Sequence, residues 1–326
     1  MRQITVSANE AGQRLDKLLA KYLREAPKSF LYKMLRKKNI TLNGKKAQGS
    51  ELLAEGDEVK LFLADETVAK FQGDKEQPLD VPQADGSLDV LYEDPHIVLI
   101  NKPAGLISQK AQPQDVSVVE LLTAHLLANG SITRQELLTF HPAVCNRLDR
   151  NTSGLIVAGK SLAGLQTMSA LIRDRSMRKF YRCIVVGRMQ GTQRLNGFLV
   201  KEERTNKVRI FDHPSAGAKP IETEYRALSS GNGLTLLEVH LITGRSHQIR
   251  AHLSSIGHPI LGDPKYGDEK INARFRRSHN VTCQLLHAQR LELPQTVEGP
   301  LSYLSGRVFT APEPPLYQEL LRTFTP

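Results

Sequence analysis

The chain has 326 residues, of which 40% are hydrophobic and 24% are charged, and its formal net charge is +10. This length allows two domains, one of them with a large core. No apolar run approaches the roughly 20 residues of a membrane span, and the N-terminus lacks the apolar centre of a signal peptide. We therefore expect a cytoplasmic protein without a membrane partner.

The cysteines argue against two classes of small, cross-linked or zinc-bound protein. They are far apart and form no CxxC pair, so neither a disulfide framework nor a thiolate zinc site is expected. We predict that they are small core residues: Cys145, Cys183 and Cys283.

The positive charge is concentrated near the N-terminus. Between Arg14 and Lys46 there are eleven lysines and arginines but two acids, so this segment carries +9 and the rest of the chain about +1. A solvated helix face is the commoner explanation of a charge run. A basic block in an otherwise balanced protein, however, is typical of a polyanion partner.

The basic segment is also patterned as folded structure. Leucines from Leu15 to Leu23 and apolar residues from Phe30 to Leu35 recur at helical spacing, which predicts two short amphipathic helices. We expect Pro27 to end the first helix and Ser29 to cap the second. Asn43-Gly44 then predicts a type I′ hairpin, and an alternating strand follows at 58–63.

This order, with "RLDKLLA", "LRKKNITLNGK" and "GDEVKLFL", resembles the RNA-binding domain named after ribosomal protein S-four, also called the αL domain. The resemblance implies a domain over residues 1–64 that binds structured RNA. Lysine and arginine contacts to phosphates give affinity that falls steeply with salt and little sequence choice. Within the second quoted motif we expect RNA contacts from Arg36, Lys37 and Lys38.

Residues 65–87 are polar and acidic, with two prolines and few apolar residues, so composition predicts a linker. Because a linker provides few contacts, removal of the first domain is expected to leave the second one folded. That second domain spans 88–326. Strands joined by hairpins, with helices interspersed rather than alternating regularly, predict an α+β domain with a mixed, mainly antiparallel sheet and flanking helices.

Four polar stretches of the larger domain are out of place unless they meet in space. The first, "NRLDRNTSG", puts Asp149 between two arginines directly before an apolar run. The second, "RKFYR", places Tyr181 on a strand. The third, "TGRSHQIR", ends a strand and starts a helix that we expect Ser246 to cap and that carries Arg250. The fourth, "GHPILGD" with Tyr266-Gly267, is rich in turn residues.

These stretches resemble the RluA-type pseudouridine synthases, as do "KFYRCIVVG", "LITGRSHQIRAHLSSIGHPILGDPKYG" and "LLHAQRLEL", and together they span about residues 88–295. The resemblance implies the pseudouridine synthase fold and isomerisation of uridine in RNA. The order of the two domains is similar to members that modify large-subunit ribosomal RNA.

The resemblance assigns roles to particular side chains. Asp149 would cleave the glycosidic bond, either by attack on the sugar or through a glycal. Arg250 would keep the Asp149 carboxylate ionised, and a bidentate guanidinium would also fix the orientation of that carboxylate. Tyr181 would stack on the uracil, and its phenol could assist removal of the carbon 5 proton. Arg147 would fill the space of the flipped base, and Arg245 would contact phosphate at the rim.

The resemblance implies no metal and no organic cofactor. The family usually has histidine where this chain has Asn146, so a histidine there is not expected to be needed for catalysis. Four histidines invite a metal hypothesis, but they lack HExxH spacing, and structural hydrogen bonds are expected instead: His247, His252, His258 and His287.

Two other functions remain open. The chain could be an RNA-binding ribosome-assembly factor that has lost the chemistry, or a glycosylase that releases the base. Retention of Asp149, Tyr181 and Arg250 favours the isomerase, because a pure RNA binder has no use for a carboxylate that faces phosphates. We expect a monomer with no obligate protein partner.

Overall fold

The structure is a computed structural model that describes residues 1–7, 9–72, 88–202 and 207–324. The N-terminal unit contains a four-stranded sheet in the order β1-β4-β2-β3 with helices packed against it. Its elements are β1 (Arg2–Thr5), α1 (Leu15–Tyr22), α2 (Lys28–Arg36), β2 (Ile40–Leu42), β3 (Lys45–Lys46), β4 (Glu58–Leu61) and α3 (Asp65–Gln72).

Local sequence explains most of this unit. The leucines of α1 and α2 are buried against the sheet, as the helical spacing predicts. Asn43 and Gly44 have φ angles of 51° and 72°, the conformation that a type I′ turn requires. The predicted cap at Ser29 is wrong, because α2 begins at Lys28 after Pro27, whose φ of −58° suits a helix start without a side-chain cap.

The predicted linker begins too early. Residues 65–72 form α3, and its Val68 is fully buried in the core of the N-terminal unit. An acidic first turn suits a helix N-terminus, which is why a polar composition is compatible with a helix here. The remainder of the predicted linker, 73–87, lies outside the described residues.

The larger unit follows. Its elements are β5 (Val90–Glu93), β6 (Ile97–Lys102), α4 (Val118–Ala128), β7 (Ala143–Val144), β8 (Ser153–Gly159), α5 (Leu162–Arg173), β9 (Arg178–Val186), β10 (Thr192–Glu202), β11 (Lys207–Phe211), β12 (Lys219–Gly231), β13 (Leu234–Leu241), α6 (Gln248–Ser255), α7 (Glu269–His279), β14 (Leu286–Glu292), β15 (Val308–Thr310) and α8 (Pro315–Arg322).

The large sheet has the order β11-β10-β12-β13-β9-β14-β8-β6-β5, with β15 beside β14 and β7 beside β8. Among the pairs in the described residues, β14 with β8 is parallel and the others are antiparallel. The predicted α+β class with a mixed, mainly antiparallel sheet is therefore confirmed. None of the helices in the described ranges has the length and apolar content of a membrane span.

The core explains why β6 has an unbroken apolar run. On β6, Val98 and Ile100 pack on one face with α4, whereas Ile97 and Leu99 pack on the other with α5. Both faces of this part of the sheet are thus covered, and alternation of polar and apolar residues is not expected. Of the cysteines, Cys183 is fully buried, and Cys145 and Cys283 are partly buried; all three are unpaired thiols.

The two units touch directly. The Thr139 hydroxyl donates a hydrogen bond to the Glu10 carboxylate, and both residues are buried. Leu138 packs against the core of the N-terminal unit. The two units are therefore joined by at least these side-chain contacts as well as by the chain itself.

The beginning of β8 is fixed closely against β14. Gly154 pairs with Ala288 and has a φ of +105°, and a Cβ added to Gly154 would lie 2.2 Å from the Ala288 carbonyl oxygen. Only glycine accommodates both the backbone angle and this approach. The turn that precedes Gly154 carries Asp149, so this contact sets where that turn lies.

We predict that Gly154→Ala lowers the free energy of unfolding by about 3 kcal/mol or more, because backbone strain and a backbone clash combine. Gly130→Ala is the matched control, since Gly130 also has a positive φ, of +73°, but its added Cβ meets nothing within 4 Å. That variant should lose about 1 kcal/mol. Urea denaturation measures both, and equal losses would contradict the proposed close approach.

Candidate active site

Three of the four polar stretches line one cavity of about 800 Å³, and the fourth joins them through Asp263, which forms an ion pair with Arg250. This volume lies in the range of small-molecule and cofactor sites. The turn before β8, strand β9 and the segment that leads into α6 each contribute to its wall. Predicted site residues that line it are Arg147, Asp149, Tyr181, Arg245 and Arg250.

Asp149 and Arg250 form an ion pair although 101 residues separate them in the sequence. Arg250 Nη1 donates to Asp149 Oδ2 at 2.8 Å. The Arg250 side chain is 5% exposed and the Asp149 side chain 26%, so the carboxylate opens toward the cavity while its partner is enclosed. The structure thus brings together the two charges that the resemblance paired.

Arg250 forms its bidentate ion pair with Asp263 and not with Asp149. The prediction of a bidentate pair between Arg250 and Asp149 is therefore wrong. Arg250 Nε donates to Asp263 Oδ2 at 2.7 Å and Nη2 donates to Asp263 Oδ1 at 2.9 Å. These two bonds occupy one edge of the guanidinium, so Nη1 alone reaches Asp149. The orientation of Arg250 is therefore set by Asp263.

Asp263 is itself fixed by its surroundings. Its side chain is fully buried, and Oδ1 also accepts hydrogen bonds from the backbone N–H groups of Lys265 and Tyr266. Asn272 on α7 donates to the Asp263 carbonyl at 2.9 Å and accepts from the Gly262 N–H at 2.7 Å. Helix α7 thus anchors the loop that orients Arg250.

The charged state of Arg250 is secure. Burial alone would lower its pKa, but hydrogen bonds and charge attraction from Asp263 and then Asp149 raise the pKa of Arg250 above its ordinary value. The guanidinium also lies 5.2 Å from the centroid of the Tyr266 ring. A permanent cation therefore lies beside Asp149.

Tyr181 lines the cavity as a neutral phenol. It is 6% exposed, and burial together with the negative charge of Asp149 raises the pKa of Tyr181 above its ordinary value. A phenolate is therefore scarce near neutral pH, which disfavours Tyr181 as a proton acceptor. The flat ring remains available for stacking against a planar ligand.

The segment before α6 differs from its prediction. His247, with a φ of 54° and no side-chain cap, precedes the helix, so the predicted Ser246 cap is wrong. Instead Gln248 folds back, and its Oε1 accepts from the Arg245 N–H at 3.0 Å and the Thr243 hydroxyl at 2.9 Å. This arrangement leaves Arg245 exposed at the rim of the cavity.

His247 lies near the ion pair but adds no permanent charge. Its Nε2 is 3.9 Å from Asp149 Oδ2, and its Nδ1 is 3.0 Å from the Tyr266 hydroxyl. Burial is the main cause that lowers the pKa of His247. The other histidines hydrogen-bond to protein groups as expected: His252 to Thr223, His258 to the Val186 carbonyl and His287 to Ser153.

Lys102 supports the turn that carries Asp149, and no motif in the sequence indicated this role. This side chain is fully buried, and its ammonium donates to the carbonyls of Pro103, Leu106 and Arg150 at 2.7–2.9 Å. Burial lowers its pKa to about 8. The bond to Arg150 ties the residue after Asp149 to the end of β6.

Asn146 has a structural role in the described contacts. Its side-chain amide donates to the Leu155 carbonyl at 3.1 Å and accepts from the Val157 N–H at 2.8 Å. A side-chain amide can both donate and accept, so Asn146 binds one backbone carbonyl and one backbone N–H of β8. Asn146 therefore braces the turn against its own strand.

The remaining predicted residues lie at two places. Arg147 is exposed and lines the cavity near Asp149. Arg36, Lys37 and Lys38 are exposed at the end of α2 in the N-terminal unit and do not line the cavity. The predicted RNA contacts thus lie in two places: Arg147 and Arg245 at the cavity, and Arg36 to Lys38 in the N-terminal unit.

Comparison with known proteins gives consistent matches. A family model for RNA pseudouridylate synthase matches residues 96–255, and one for the S4 domain matches residues 13–59. Ribosomal large subunit pseudouridine synthase C of Escherichia coli (strain K12) is 31% identical over 298 residues, which cover 91% of this chain and 89% of that protein. The protein of the same name from Vibrio parahaemolyticus is 30% identical over 291 residues, covering 89% and 87%.

A solved structure, human RNA Pseudouridylate Synthase Domain Containing 4, matches with a TM-score of 0.57 and 24% sequence identity. The match covers 72% of this chain and 92% of that chain, and it shows a shared fold.

We predict that Asp263→Asn lowers the free energy of unfolding by about 3 kcal/mol, because it removes one charge of a buried ion pair while keeping the side-chain shape. Asp268→Asn is the control, since Asp268 caps α7 nearby and asparagine caps equally well. The control should stay within about 0.5 kcal/mol of the unmodified protein. If Asp263→Asn were equally harmless in urea denaturation, Asp263 would not be what holds Arg250.

Proposed function

The chain belongs to the RluA family of RNA pseudouridine synthases, and on that premise we propose that it isomerises specific uridines of large-subunit ribosomal RNA. The names of its relatives and the exposed basic residues of its N-terminal unit support this substrate. The observation that carries the proposal is the Asp149–Arg250 ion pair at the wall of a cavity that also contains Tyr181 and exposed arginines.

The reaction requires one group that assists loss of the base and then holds the sugar. The bond from the sugar carbon 1′ to N1 of uracil breaks, the base rotates, a bond from carbon 1′ to carbon 5 forms, and carbon 5 loses a proton while N1 gains one. Ionised Asp149 can attack carbon 1′ or remove the 2′ proton to give a glycal. Both routes need a carboxylate that is open to the cavity beside a cation, and Asp149 is 26% exposed and 2.8 Å from Arg250 Nη1.

The other side chains hold the extruded nucleotide. The target base must leave its stack before Asp149 can reach it. Tyr181 stacks on the uracil, and because its pKa is raised, we assign it this role rather than removal of the carbon 5 proton. Arg147 occupies the space that the base vacates, and Arg245 contacts phosphate at the rim.

An inactive assembly factor is a weaker explanation. A protein that merely binds RNA gains nothing from a carboxylate that faces phosphates, since the two repel each other. Here a guanidinium, a second carboxylate and α7 together hold a cation against Asp149 at the wall of the cavity. A cytoplasmic location and a monomeric state stay predictions.

We predict that Asp149→Asn lowers the rate of isomerisation by about 10²–10⁴-fold or more, because the amide can neither attack nor accept a proton. Pseudouridine is detected in ribosomal RNA as carbodiimide-dependent stops of reverse transcription. RNA binding by the variant, measured by filter binding, should change little. A variant that still isomerises uridine would refute the assignment, and release of free uracil by the unmodified protein would indicate a glycosylase.

We further propose that the N-terminal unit anchors RNA through Arg36, Lys37 and Lys38. Replacing them by Gln, Gln and Asn should reduce the slope of log affinity against log salt by up to about 0.9 per lost phosphate contact. Asparagine suits position 38 because the backbone there has a φ of 58°. The rate on a short stem-loop that reaches the cavity alone should be unaffected. An unchanged salt slope with full-length ribosomal RNA would contradict the anchoring role.

Point substitutions are preferable to deletion of the whole unit for this test. Removing residues 1–64 would expose Leu138 and take away the partner of Thr139. Loss of activity after such a deletion would then mix lost anchoring with damage to the larger unit.

A further inference from the structure

Lys179 is a buried cation in the cavity wall that no role assigned so far explains. It lies on β9, is 7% exposed, and lines the same cavity as Asp149. Within the described part of the chain, its ammonium group has no hydrogen bond or ion pair, and it is not among the enclosed unpaired atoms. The stem of Lys179 is thus enclosed while its charged end is accessible, which leaves the charge available to an anionic ligand.

Two other enclosed lysines show how the fold usually treats this side chain. Lys102 donates to three carbonyls. Lys160, whose side chain is 10% exposed, lies 2.6 Å from Glu93 Oε1. Lys179 has neither kind of partner, and its surroundings are positive: burial first, and then the charge of Arg175, lower the pKa of Lys179.

The position of Lys179 relates it to the nucleotide rather than to the core. Side chains two residues apart on a strand point to the same face, so Lys179 lies beside Tyr181 on β9, about 6.6 Å along the strand. Lys179 and Asp149 line the same cavity, and no hydrogen bond or ion pair joins them in the described residues.

We propose that Lys179 binds a phosphodiester group of the RNA strand that flanks the extruded uridine. The inference rests on the proposed function and adds a phosphate subsite inside the cavity, distinct from Arg245 at its rim. An ammonium group is a point charge that suits a phosphate oxygen. In the free protein the ammonium group has no anionic partner, and the bound RNA would supply one.

Lys179→Met tests both halves of this proposal, because methionine retains the length and removes the charge. RNA affinity at low salt should fall by about tenfold, and the slope of log affinity against log salt should fall by about 0.7–0.9. The free protein should be as stable as the unmodified one or more stable in thermal unfolding. Loss of stability together with an unchanged salt slope would show that Lys179 is structural and would overturn the proposal.

Lys160→Met is the matched control. It removes the same charge from an equally enclosed lysine, but Lys160 follows the far end of β8, about 23 Å along the strand from Ser153. This variant should lose stability, because Glu93 loses a partner, and should keep the salt slope. An equal drop in the salt slope for both variants would mean that net charge, rather than a subsite, is responsible.

A double-mutant cycle that combines a neutral linkage in the RNA with Lys179→Met identifies which phosphate Lys179 binds. Short RNAs that each carry one neutral methylphosphonate near the target uridine, with a 2′-O-methyl group on the preceding nucleotide for stability, are compared with 2′-O-methyl RNAs that keep the phosphate. At one flanking linkage the neutral group should weaken binding by the unmodified protein about as much as Lys179→Met does, and it should not weaken the variant further. Additive losses at every flanking linkage would refute the subsite and would indicate contact with the base.

Failure of the subsite and failure of the proposed function are distinguishable. Unmodified protein that isomerises uridine while Lys179→Met binds and reacts identically refutes the subsite alone. Absence of isomerisation by the unmodified protein on any ribosomal RNA refutes the proposed function.

Discussion

A guanidinium enclosed between two carboxylates is the interaction on which the site depends. Taking Arg250 out of water costs several kcal/mol unless ion pairs and hydrogen bonds compensate, and here three charge-assisted bonds do so. Two of them belong to Asp263, so the buried end of the network is complete before any ligand arrives. The third reaches Asp149, which alone of the two carboxylates is open to the cavity.

The rest of the larger unit keeps Asp149 within reach of that guanidinium. The turn is held at one end by Lys102, which binds the Arg150 carbonyl, and at the other by the approach of Gly154 to β14. Asn146 ties the turn to β8. Each contact uses backbone groups, so the turn is positioned by the fold rather than by the carboxylate it carries.

The sequence predicts those features in which local chemistry decides the outcome. Asn43-Gly44 specifies its hairpin because few other residues take positive φ at both positions, and ordered motifs identify Asp149, Tyr181 and Arg250 as one site. Ser29 fails as a cap because the proline before Lys28 starts α2 by itself. Helix α7 was not predicted because most of its residues are polar or charged. Asp263 was not predicted because its pairing with Arg250 depends on how the loop and α6 lie in space. The sequence did contain a signal for Asp263: the fourth polar stretch ends in Gly-Asp, and it follows the motif that carries Arg250.

Sharing the guanidinium also has a chemical consequence. A carboxylate that takes the bidentate edge of an arginine has both of its oxygens committed to hydrogen bonds. Asp149 receives one bond from Arg250, while Asp263 takes the bidentate edge. One oxygen of Asp149 is thereby left without a guanidinium bond and can face a sugar carbon or a proton. The buried carboxylate thus fixes the cation, and the exposed one keeps an oxygen open to the cavity, which is the arrangement that attack on a sugar carbon or removal of a proton needs.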